Sequence, residues 1–341
     1  MKRAGNLFDA IADRDNLRAA FHKACRGKRH RAETRRFAAD LDANLAGVAA
    51  RLAAGTFAFG RFTQFVIRDP KERVITAPCF EERVAHHAVT AVIEPHLDGW
   101  LIADTFACRT GKGRGAAVGR AAGFARRYRH FLKMDVRKYF DSVPHDRLLE
   151  RLARRFKDRR LLELFARVVG SYRGGLGRGL PIGSLTSQHV ANFYLGWFDR
   201  AAKDVWRVPG YVRYMDDVIV WSDDPAELAA AAERSAEWLG AELGLELKLP
   251  HRNRTAHGAD FLGCRVFPGR VVLNRRSQVR FRRKLAALEA AAEDGSITER
   301  ELQSRAGSLV AFARAAGVRS WRARSRAVES MTGGGRTART G

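Results

Sequence analysis

Cysteine is scarce in this sequence, and the few cysteines are not spaced for a metal site or a disulfide framework. The chain of 341 residues has four, Cys25, Cys79, Cys108 and Cys264, and no two of them form a CxxC pair. Zinc ribbons and secreted disulfide scaffolds need closely spaced or paired cysteines. The sequence therefore predicts neither kind of site, and it fits a protein of the reducing cytosol.

Long apolar runs are also absent, which argues against membrane-spanning helices. No stretch approaches the length of about 20 apolar residues that such a helix needs. The segment Met1–Asp13 carries Asp9 and Asp13 and lacks the apolar centre of a secretory signal. We therefore expect a cytoplasmic protein.

Acidic residues are outnumbered, so the chain carries a large positive charge. Lys plus Arg total 62 against 37 Asp plus Glu, which gives a formal net charge of +25 and a pI near 11.0. Such an excess favours a polyanionic partner, above all a nucleic acid, and less often an anionic membrane surface. A basic, solvated surface typical of an Arg- and Ala-rich genome is the alternative.

Hydrophobic periodicity predicts helices mixed with short antiparallel strands. A hydrophobic fraction of 46% over this length is enough for one large domain or two modest ones. We expect helices over 6–54, 81–96, 116–128, 146–169, 187–206, 225–243 and 275–328, and strands or hairpins over 61–78, 130–136, 211–221 and 261–273.

Two adjacent carboxylates interrupt an apolar segment. Asp216 and Asp217 lie within Tyr211–Trp221, whose other residues predict a hairpin of two strands. Neighbouring strand residues point to opposite faces, so a turn is needed to bring both carboxylates to one site. Placing bare carboxylates among apolar strands is costly unless a cation compensates them. An exposed acidic hairpin turn is equally compatible with this segment by itself.

A third carboxylate favours a metal site over an exposed turn. Asp135 follows the apolar run that begins at Phe131 and ends another predicted strand. Nucleotidyl transfer commonly uses two divalent ions about 3.5–4 Å apart, bridged by carboxylates. Mg²⁺ takes one or two carboxylates together with substrate phosphates. We therefore predict that Asp135, Asp216 and Asp217 meet and share two Mg²⁺ ions, for which Mn²⁺ can substitute.

The segment Tyr214-Met215-Asp216-Asp217 resembles the YxDD box of reverse transcriptases. Asp135 is similar to the first catalytic aspartate of their palm, and the similarity continues in order over about 62–267. Lys71 with Arg73, the block 106–115 with Arg109 and Lys112, and Phe261–Gly263 are similar to two fingers blocks and to the primer grip. The resemblance implies an RNA-directed DNA polymerase acting on template RNA, primer or cDNA, and dNTPs.

The family's fold is an α+β right hand with fingers, an antiparallel-sheet palm and a short helical thumb. The resemblance implies N-terminal helices and fingers over 1–128, and a palm over 129–268 with a fingers-like insertion at about 160–185. A helical thumb would then follow over 269–331, and a disordered tail over 332–341.

The segment Leu180–Gln188 indicates a subfamily. Intron-encoded and retroviral-type enzymes usually carry Gln where Ile182 stands and Pro where Gln188 stands. The form present here resembles the enzymes of bacterial and phage diversity-generating retroelements. That resemblance implies error-prone copying of a template-repeat RNA, with errors opposite adenine, and a small, basic, oligomeric accessory variability determinant protein (Avd) as partner.

The sequence leaves other functional assignments open. A group II intron-like, CRISPR-associated or other bacterial reverse transcriptase is the nearest alternative. A catalytically inactive RNA-binding protein would conflict with the three intact aspartates. An RNA-dependent RNA polymerase would conflict with a bulky residue at Phe140, which matches the family's aromatic gate against a 2′-hydroxyl.

The resemblance also assigns roles to individual residues. Asp135 and Asp216 would bridge the metals, with Asp217 in support and the backbone carbonyl of Val136 as a further ligand. The nucleotide-binding residues would be Lys71, Arg73, Phe140, Ile182, Gly183, Gln188 and Lys248, of which Lys248 would protonate pyrophosphate. The nucleic-acid-binding residues would be Arg109, Lys112, Tyr214, Met215, Arg275, Arg276, Arg280 and Arg283.

Several of these residues have simpler explanations. Arg73 and Lys71 could be surface charges on a hairpin, and Phe140 could be a core aromatic like its neighbour Tyr139. For Ile182 we hypothesise that the loss of a Gln side chain removes a polar check on base geometry, because apolar shape discriminates less than hydrogen bonding. The alternative is that Ile182 simply packs.

Overall fold

The structure is a computed structural model that describes residues 3–68, 72–172 and 175–314. The helices are α1 Phe8–Ala12, α2 Arg14–Ala24, α3 Ala32–Ala39, α4 Leu41–Ala53, α5 Phe80–Asp98, α6 Arg114–Arg127, α7 Tyr139–Ser142, α8 His145–Arg155, α9 Arg159–Gly170, α10 Leu185–Arg200, α11 Pro225–Leu243, α12 Arg275–Glu293 and α13 Glu299–Arg314. The strands are β1 Phe62–Arg68, β2 Glu72–Pro78, β3 His130–Asp135, β4 Gly210–Tyr214, β5 Asp217–Ser222, β6 His251–Arg254, β7 Ala259–Phe261, β8 Cys264–Phe267 and β9 Arg270–Leu273.

The strands form three sheets, ordered β1-β2, β4-β5-β3-β6 and β7-β8-β9. The pairs β1–β2, β3–β6, β4–β5, β7–β8 and β8–β9 are antiparallel. Helices and antiparallel sheets therefore occur together, which confirms the predicted α+β class. No helix in the described part of the chain is both long enough and apolar enough to span a bilayer.

Contacts divide the chain into two units. The first comprises Met1–Ala103, Asp135–Trp206 and Glu233–Lys248, and the second comprises Asp104–Met134, Arg207–Ala232 and Leu249–Gly341. The predicted fingers, palm and thumb are functional divisions of the chain, whereas these two units are defined by contacts. The predicted boundaries therefore stay a prediction. The predicted tail over 332–341 lies outside the described residues.

The first unit is built around α5. Helices α2 and α10 both pack on α5, whose residues Val84, Ala88 and Ile93 are fully buried. Edge-on ring contacts join Phe80 of α5 to Phe21 and Phe37, with ring centroids 6.0 and 5.4 Å apart. Helix α5 thus joins the N-terminal helices to α10.

The second unit packs α6 against two sheets. Its core joins Phe124 of α6 to Phe131 of β3, Trp221 of β5 and Phe261 of β7. The Phe124 and Trp221 rings stack with centroids 5.5 Å apart. Because each strand alternates its side chains between two faces, one face of the four-stranded sheet supplies this core.

Some predicted helices are interrupted. The region 146–169 forms α8 and α9 because Asp158 caps α9, where its side chain accepts from the backbone N–H of Leu161 at 3.2 Å. The helix predicted over 187–206 begins at Leu185 and passes into a π-helical turn at Ala201–Val205. The helix predicted over 275–328 is broken between α12 and α13, and its part beyond 314 lies outside the described residues.

Two strands were missed by the sequence patterns. Strand β6 has the sequence His-Arg-Asn-Arg at the edge of its sheet, so it shows no apolar alternation. Strand β7 is only three residues long, below the length at which alternation is readable. Both strands form because pairing partners, β3 and β8, are supplied by distant parts of the chain.

Candidate active site

The acidic pair lies at the tip of the β4–β5 hairpin, as predicted. Tyr214 pairs with Asp217, so Met215 and Asp216 form the turn and Asp217 is the first residue of β5. Met215 has φ 56°, in the left-handed region that a non-glycine residue adopts only at a cost. The turn therefore needs support from its surroundings.

Arg213 gives that support, and the sequence patterns did not single it out. Its side chain is 0% exposed, and Nη1 donates to the carbonyl oxygen of Met215 at 2.9 Å. Its backbone also joins β4 to the preceding segment, since Arg213 N donates to Asp104 O and Arg213 O accepts from Phe106 N, each at 3.0 Å. An arginine inside an apolar strand beside two aspartates is the sequence feature that could have indicated it.

Lys133 faces the same hairpin tip from β3. Its Nζ lies 3.3 Å from Asp217 Oδ1 and donates to the carbonyl oxygen of Asp260 at 2.7 Å. Strand β3 is the neighbour of β5 in the sheet. Lys133 was not predicted as a site residue, although it stands two positions before Asp135 and so on the same face of β3.

Asp135 ends β3 and is joined to Lys248. Its Oδ2 accepts from Lys248 Nζ at 2.7 Å, and its backbone oxygen accepts from Lys248 N at 2.9 Å. The adjacent Val136 is buried and forms an antiparallel bridge with Leu247, which aligns Lys248 with Asp135. The structure thus brings together two of the predicted site residues.

The groups around Asp135 are compatible with a divalent ion. Asp135 Oδ1 is buried and has no hydrogen-bond partner among the residues that the structure describes, so it keeps lone pairs for a cation. Carboxylate and carbonyl oxygens are the ligands that Mg²⁺ prefers. Within residues 3–68, 72–172 and 175–314, no three His, Cys, Asp or Glu side chains form a ready-made metal cluster. Because Mg²⁺ needs only one or two carboxylates plus phosphates, the donor set fits it.

Asp135 belongs to the first unit, and Asp216 and Asp217 belong to the second. In each unit an ammonium group compensates one carboxylate, Lys248 on Asp135 and Lys133 on Asp217. The predicted sharing of two ions by all three aspartates stays a prediction.

The predicted nucleotide-binding residues of the first unit gather around β2. Thr76 N of β2 donates to the carbonyl oxygen of Ile182 at 2.7 Å, and Leu180 N donates to the carbonyl oxygen of Phe140, also at 2.7 Å. Arg73 is exposed, three residues before Thr76 on the same strand. Lys71 lies outside the described residues. The structure therefore places Arg73's strand, Phe140 and Ile182 side by side.

Gly183 is needed for this close approach. It has φ +130°, and a Cβ there would lie 2.8 Å from the carbonyl oxygen of Thr76. Any side chain would push the segment away from β2. Gly183, which the resemblance assigned to nucleotide binding, thus brings its backbone close to β2. Gln188 lies half-buried on α10.

Tyr139 and Phe140 differ in burial, as predicted. Tyr139 is 3% exposed and its hydroxyl donates to the carbonyl oxygen of Ala191, so it is a core aromatic. Phe140 is half-buried, with its ring centroid 5.8 Å from that of Tyr139. Phe140 is therefore not a fully buried core aromatic.

A buried polar network fixes the base of the β1–β2 hairpin. Glu82 of α5 is 0% exposed and accepts from the backbone N–H groups of Gly60 and Arg61 at 3.1 and 3.0 Å. His86 Nδ1 lies 2.9 Å from Thr186 Oγ1 at the start of α10, and its Nε2 lies 3.3 Å from Glu82. The histidine thus links hairpin, α5 and α10 and has a structural role.

Two other histidines, His87 and His189, have lowered pKa values. Burial, with help from nearby arginines, lowers the pKa of His87 from 6.5 to about 4. Burial also lowers the pKa of His189 on α10. At neutral pH both rings are uncharged, which favours packing over phosphate contact.

The predicted nucleic-acid-binding residues of the second unit lie in three places: the loop before α6, the β4–β5 hairpin and α12. Arg109 donates to the carbonyl oxygen of Thr105 at 3.0 Å, and the Lys112 ammonium lies 5.1 Å from the centre of the Phe106 ring. Both therefore help to shape their loop. Tyr214 is half-buried, and burial raises the pKa of its hydroxyl. On α12, Arg275, Arg276 and Arg283 are exposed, while Arg280 is half-buried.

Known proteins resemble the chain in sequence. Protein YkfC of Escherichia coli (strain K12) is 26% identical over 249 residues, covering 58% of this chain and 63% of that protein. Nuclear intron maturase 4, mitochondrial, of Arabidopsis thaliana is 27% identical over 160 residues, covering 45% of this chain and 20% of that protein. The chain thus spans less than two thirds of the length of these relatives.

A solved structure resembles the chain in fold. Telomerase from Candida tropicalis, in complex with a TWJ fragment of telomeric RNA, superposes with a TM-score of 0.52 at 10% identity, covering 81% of this chain and 55% of that one. At this identity the likeness concerns the fold alone, and it supports the predicted right-hand polymerase fold.

The family described as "Reverse transcriptase (RNA-dependent DNA polymerase)" matches residues 68–266, more than half of the chain. The matched range contains β3, the β4–β5 hairpin and all three aspartates. The chain therefore belongs to the reverse transcriptase family.

Proposed function

We propose that this protein is an RNA-directed DNA polymerase, which extends a primer 3′-hydroxyl with dNTPs along an RNA template. The observation that carries the proposal is the family match over 68–266, which includes Asp135, Asp216 and Asp217. Asp135 ends β3, Asp217 begins β5, and these strands are neighbours in one sheet. All three carboxylates are half-buried, so a cation can reach them.

In this proposal Asp135 and Asp216 hold two Mg²⁺ ions, with Asp217 and the carbonyl of Val136 in support. The metals would supply Lewis acidity to the 3′-hydroxyl and to the leaving pyrophosphate. Asp135 has a buried oxygen atom available for this purpose. The proposal requires that the acidic residues of the two units bind a common pair of ions.

Lys248 has two states in this scheme. It now neutralises Asp135 at 2.7 Å. Asp135 would hold a divalent ion with the same carboxylate, and the Lys248 ammonium would then be available to protonate the leaving pyrophosphate. The long, flexible lysine stem allows that change of partner.

Other residues bind and orient substrates. Arg73, with Lys71, clamps the triphosphate, because guanidinium groups make paired hydrogen bonds to phosphate. Phe140 blocks a ribose 2′-hydroxyl, while Gly183 and Gln188 line the nucleotide pocket. Tyr214, Met215, Arg109, Lys112 and the arginines of α12 hold the RNA–DNA duplex by its backbone.

At a finer level we propose that the enzyme serves a diversity-generating retroelement of bacterial or phage origin. It would work in the cytoplasm with a template-repeat RNA and an Avd protein. Ile182 and Gln188 support this assignment. The intron maturase among the relatives keeps an intron-type enzyme as the alternative.

Primer extension on a homopolymer RNA template with Mg²⁺ or Mn²⁺ tests the activity. Asp135→Asn should lower the extension rate by about a hundredfold or more, because a charge that would hold the metal ions is lost. Asp146→Asn removes the same charge from the exposed first turn of α8 and should leave the rate unchanged. Wild-type protein that binds RNA but adds no nucleotide would contradict the proposal, and a preference for rNTPs would indicate an RNA polymerase.

The fidelity hypothesis is tested at Ile182. Ile182→Gln should reduce misincorporation opposite template adenine by about tenfold, because a hydrogen-bonding side chain adds polar discrimination. Ile182→Leu keeps the apolar character and should leave the error rate near that of the wild type. The error rates of these proteins are measured by sequencing cDNA made from a template-repeat RNA, with and without the Avd protein. Equal error rates for all three proteins would dispose of this role for Ile182.

A further inference from the structure

Arg114, the first residue of α6, joins three separate segments of the second unit. Its Nε donates to the carbonyl oxygen of Leu262 at 2.8 Å, and its Nη1 donates to the carbonyl oxygen of Phe312 at 2.8 Å. Its Nη2 lies 3.1 Å from the Sγ of Cys264. The guanidinium also stacks on the Phe312 ring, 3.6 Å from its centre. One side chain thus ties α6 to the β7–β8 turn and to α13.

The β7–β8 turn that Arg114 holds is strained. Leu262 has φ 48° and Gly263 has φ 80°, so both turn residues lie in the left-handed region. That region suits glycine, but it is unfavourable for a residue as bulky as leucine. Strain of this kind persists only where the surroundings fix the backbone, and Arg114 provides such a contact on the Leu262 carbonyl.

The same turn carries the start of α12. Asn274 N, at the N-cap of α12, donates to the carbonyl oxygen of Gly263 at 3.1 Å. A Cβ at Gly263 would lie 2.7 Å from Ser277 Oγ in the first turn of that helix. Helix α12 therefore sits directly on the turn, and its position depends on the turn's conformation.

Helix α12 presents the basic face of this unit. Arg275, Arg276, Arg282 and Arg283 are all exposed on it. Helix α13 packs against α12, and α13 is held to α6 by the Phe312 contacts of Arg114. Both supports of the basic face, the turn and α13, are thus anchored at one guanidinium.

Lysine could not replace this arginine. Burial lowers the pKa of Arg114, yet a guanidinium stays charged because its ordinary pKa is so high. Its planar fork reaches two carbonyl oxygens and a sulfur at the same time, whereas an ammonium is a point donor on a flexible stem. Loss of the fork would leave a half-buried carbonyl oxygen without its donor.

We propose, on the basis of the polymerase function proposed above, that Arg114 is a positioning residue for the primer–template duplex. It fixes the Leu262–Gly263 turn and the basic face of α12 in one arrangement. It thereby determines how long the enzyme holds the duplex, without taking part in the chemistry of nucleotide addition.

The test compares Arg114→Lys with Arg120→Lys, also on α6. Arg120 forms an ion pair with Asp104 at 2.7 Å and lies 4.4 Å from the Phe124 ring centre. Like Arg114 it combines side-chain hydrogen bonds with a ring contact, but these contacts are to Asp104 and Phe124 rather than to the turn or α13. Product length per binding event, measured with a competitor trap, should fall about fivefold in Arg114→Lys. The single-nucleotide rate of the preformed complex should change by less than about twofold, because no reacting group is altered.

Hydrogen exchange separates this proposal from the function on which it rests. Amides of β7, β8 and the first turn of α12 should exchange about tenfold faster in Arg114→Lys, and at the wild-type rate in Arg120→Lys. An inactive wild type with this exchange pattern would overturn the polymerase function but support the anchoring role of Arg114. Equal product lengths and equal exchange in both variants would overturn the proposal for Arg114.

A second variant covers the case in which Arg114→Lys fails to fold. Phe312→Leu removes the stacked ring but leaves both hydrogen bonds to backbone carbonyls in place. It should shorten products to a smaller extent, about twofold, with the same unchanged single-nucleotide rate. Products of wild-type length from a folded Phe312→Leu would contradict the link between α13 and duplex retention.

Discussion

Contacts with neighbouring side chains stabilise the predicted acidic residues and the strained turns of this protein. Lys248 faces Asp135 at 2.7 Å, and Lys133 faces Asp217 at 3.3 Å. A half-buried carboxylate loses part of its hydration, and a nearby ammonium group offsets that loss. Each ammonium group therefore compensates one of the two carboxylates, a role that divalent ions would take in the proposed reaction.

Backbone strain is the second feature at the residue scale. Met215 and Leu262 both have positive φ, and in each case an arginine donates to the strained residue's carbonyl oxygen. Arg213 supports the acidic hairpin tip, and Arg114 supports the β7–β8 turn. Two conformations that are unfavourable in isolation are thus stabilised by arginines from within the same unit.

Gly183→Ala should destabilise the first unit. The new Cβ would lie 2.8 Å from the Thr76 carbonyl oxygen, and the residue has φ +130°. The combined clash and strain should lower the free energy of unfolding by about 1–3 kcal/mol. Denaturant titration measures this change, and the KM for dNTP should rise because β2 carries Arg73.

Gly119→Ala is the matched control for that substitution. Gly119 lies on the exposed side of α6, and a Cβ there would meet nothing within 4 Å. The change should stabilise the protein slightly, by up to about 1 kcal/mol, because alanine is the better helix former. Equal stability of Gly183→Ala and wild type would show that the segment can move away from β2 at no cost.

Among the elements, the β1–β2 hairpin is unusual because its apolar side chains face solvent. Phe65, Val66, Ile67 and Val74 are 41–51% exposed, and they lie on both faces of the two strands. The base of the hairpin is nonetheless fixed, since Glu82 binds the backbone of Gly60 and Arg61. A rigid base with an exposed apolar end suits an element that meets a ligand rather than a core.

Helix α12 is the element predicted to hold the duplex. Replacing Arg275, Arg276 and Arg283 together by alanine should weaken binding of an RNA–DNA duplex at every sequence. The slope of log affinity against log salt should fall by roughly 2–3, since each lost phosphate contact contributes about 0.9. Filter binding over a salt series measures both effects.

A second triple variant, which removes three positive charges from another part of the chain, controls for the loss of net charge. Arg29, Arg35 and Arg36 are exposed in and before α3 of the first unit. Replacing them by alanine removes three positive charges at a site not predicted to touch the duplex. The same loss of affinity and slope in both triple variants would mean that α12 acts only through its contribution to total charge.

At the scale of the whole molecule, a net charge of +25 agrees with the family match. The charge alone was compatible with three explanations: a nucleic-acid partner, an anionic membrane surface, or a basic surface that is merely solvated. Membership of the reverse transcriptase family favours nucleic acid, and the exposed arginines of α12 show where part of that charge is presented. Both units carry residues predicted for the reaction, Asp135 in the first and Asp216 and Asp217 in the second.

Local sequence patterns determined much of the secondary structure and the identity of the family. The hairpins at 62–78 and 210–222, the helix Pro225–Leu243 and the acidic turn at Asp216 all agree with prediction. These features depend on strand alternation, helical periodicity and turn residues, which act over a few positions. Asp135, Asp216 and Asp217 were likewise predicted as site residues from short motifs in a recognisable order, and that assignment stays a prediction.

The tertiary structure alone decided which residues support those motifs. Lys248 meets Asp135 across 113 residues of chain, and Arg114 meets Leu262 and Phe312 across 148 and 198 residues. The edge strand β6 exists because β3 pairs with it, although its own sequence is wholly polar. Such contacts leave no local pattern, because the distance along the chain has no fixed relation to proximity once the chain has folded around its core.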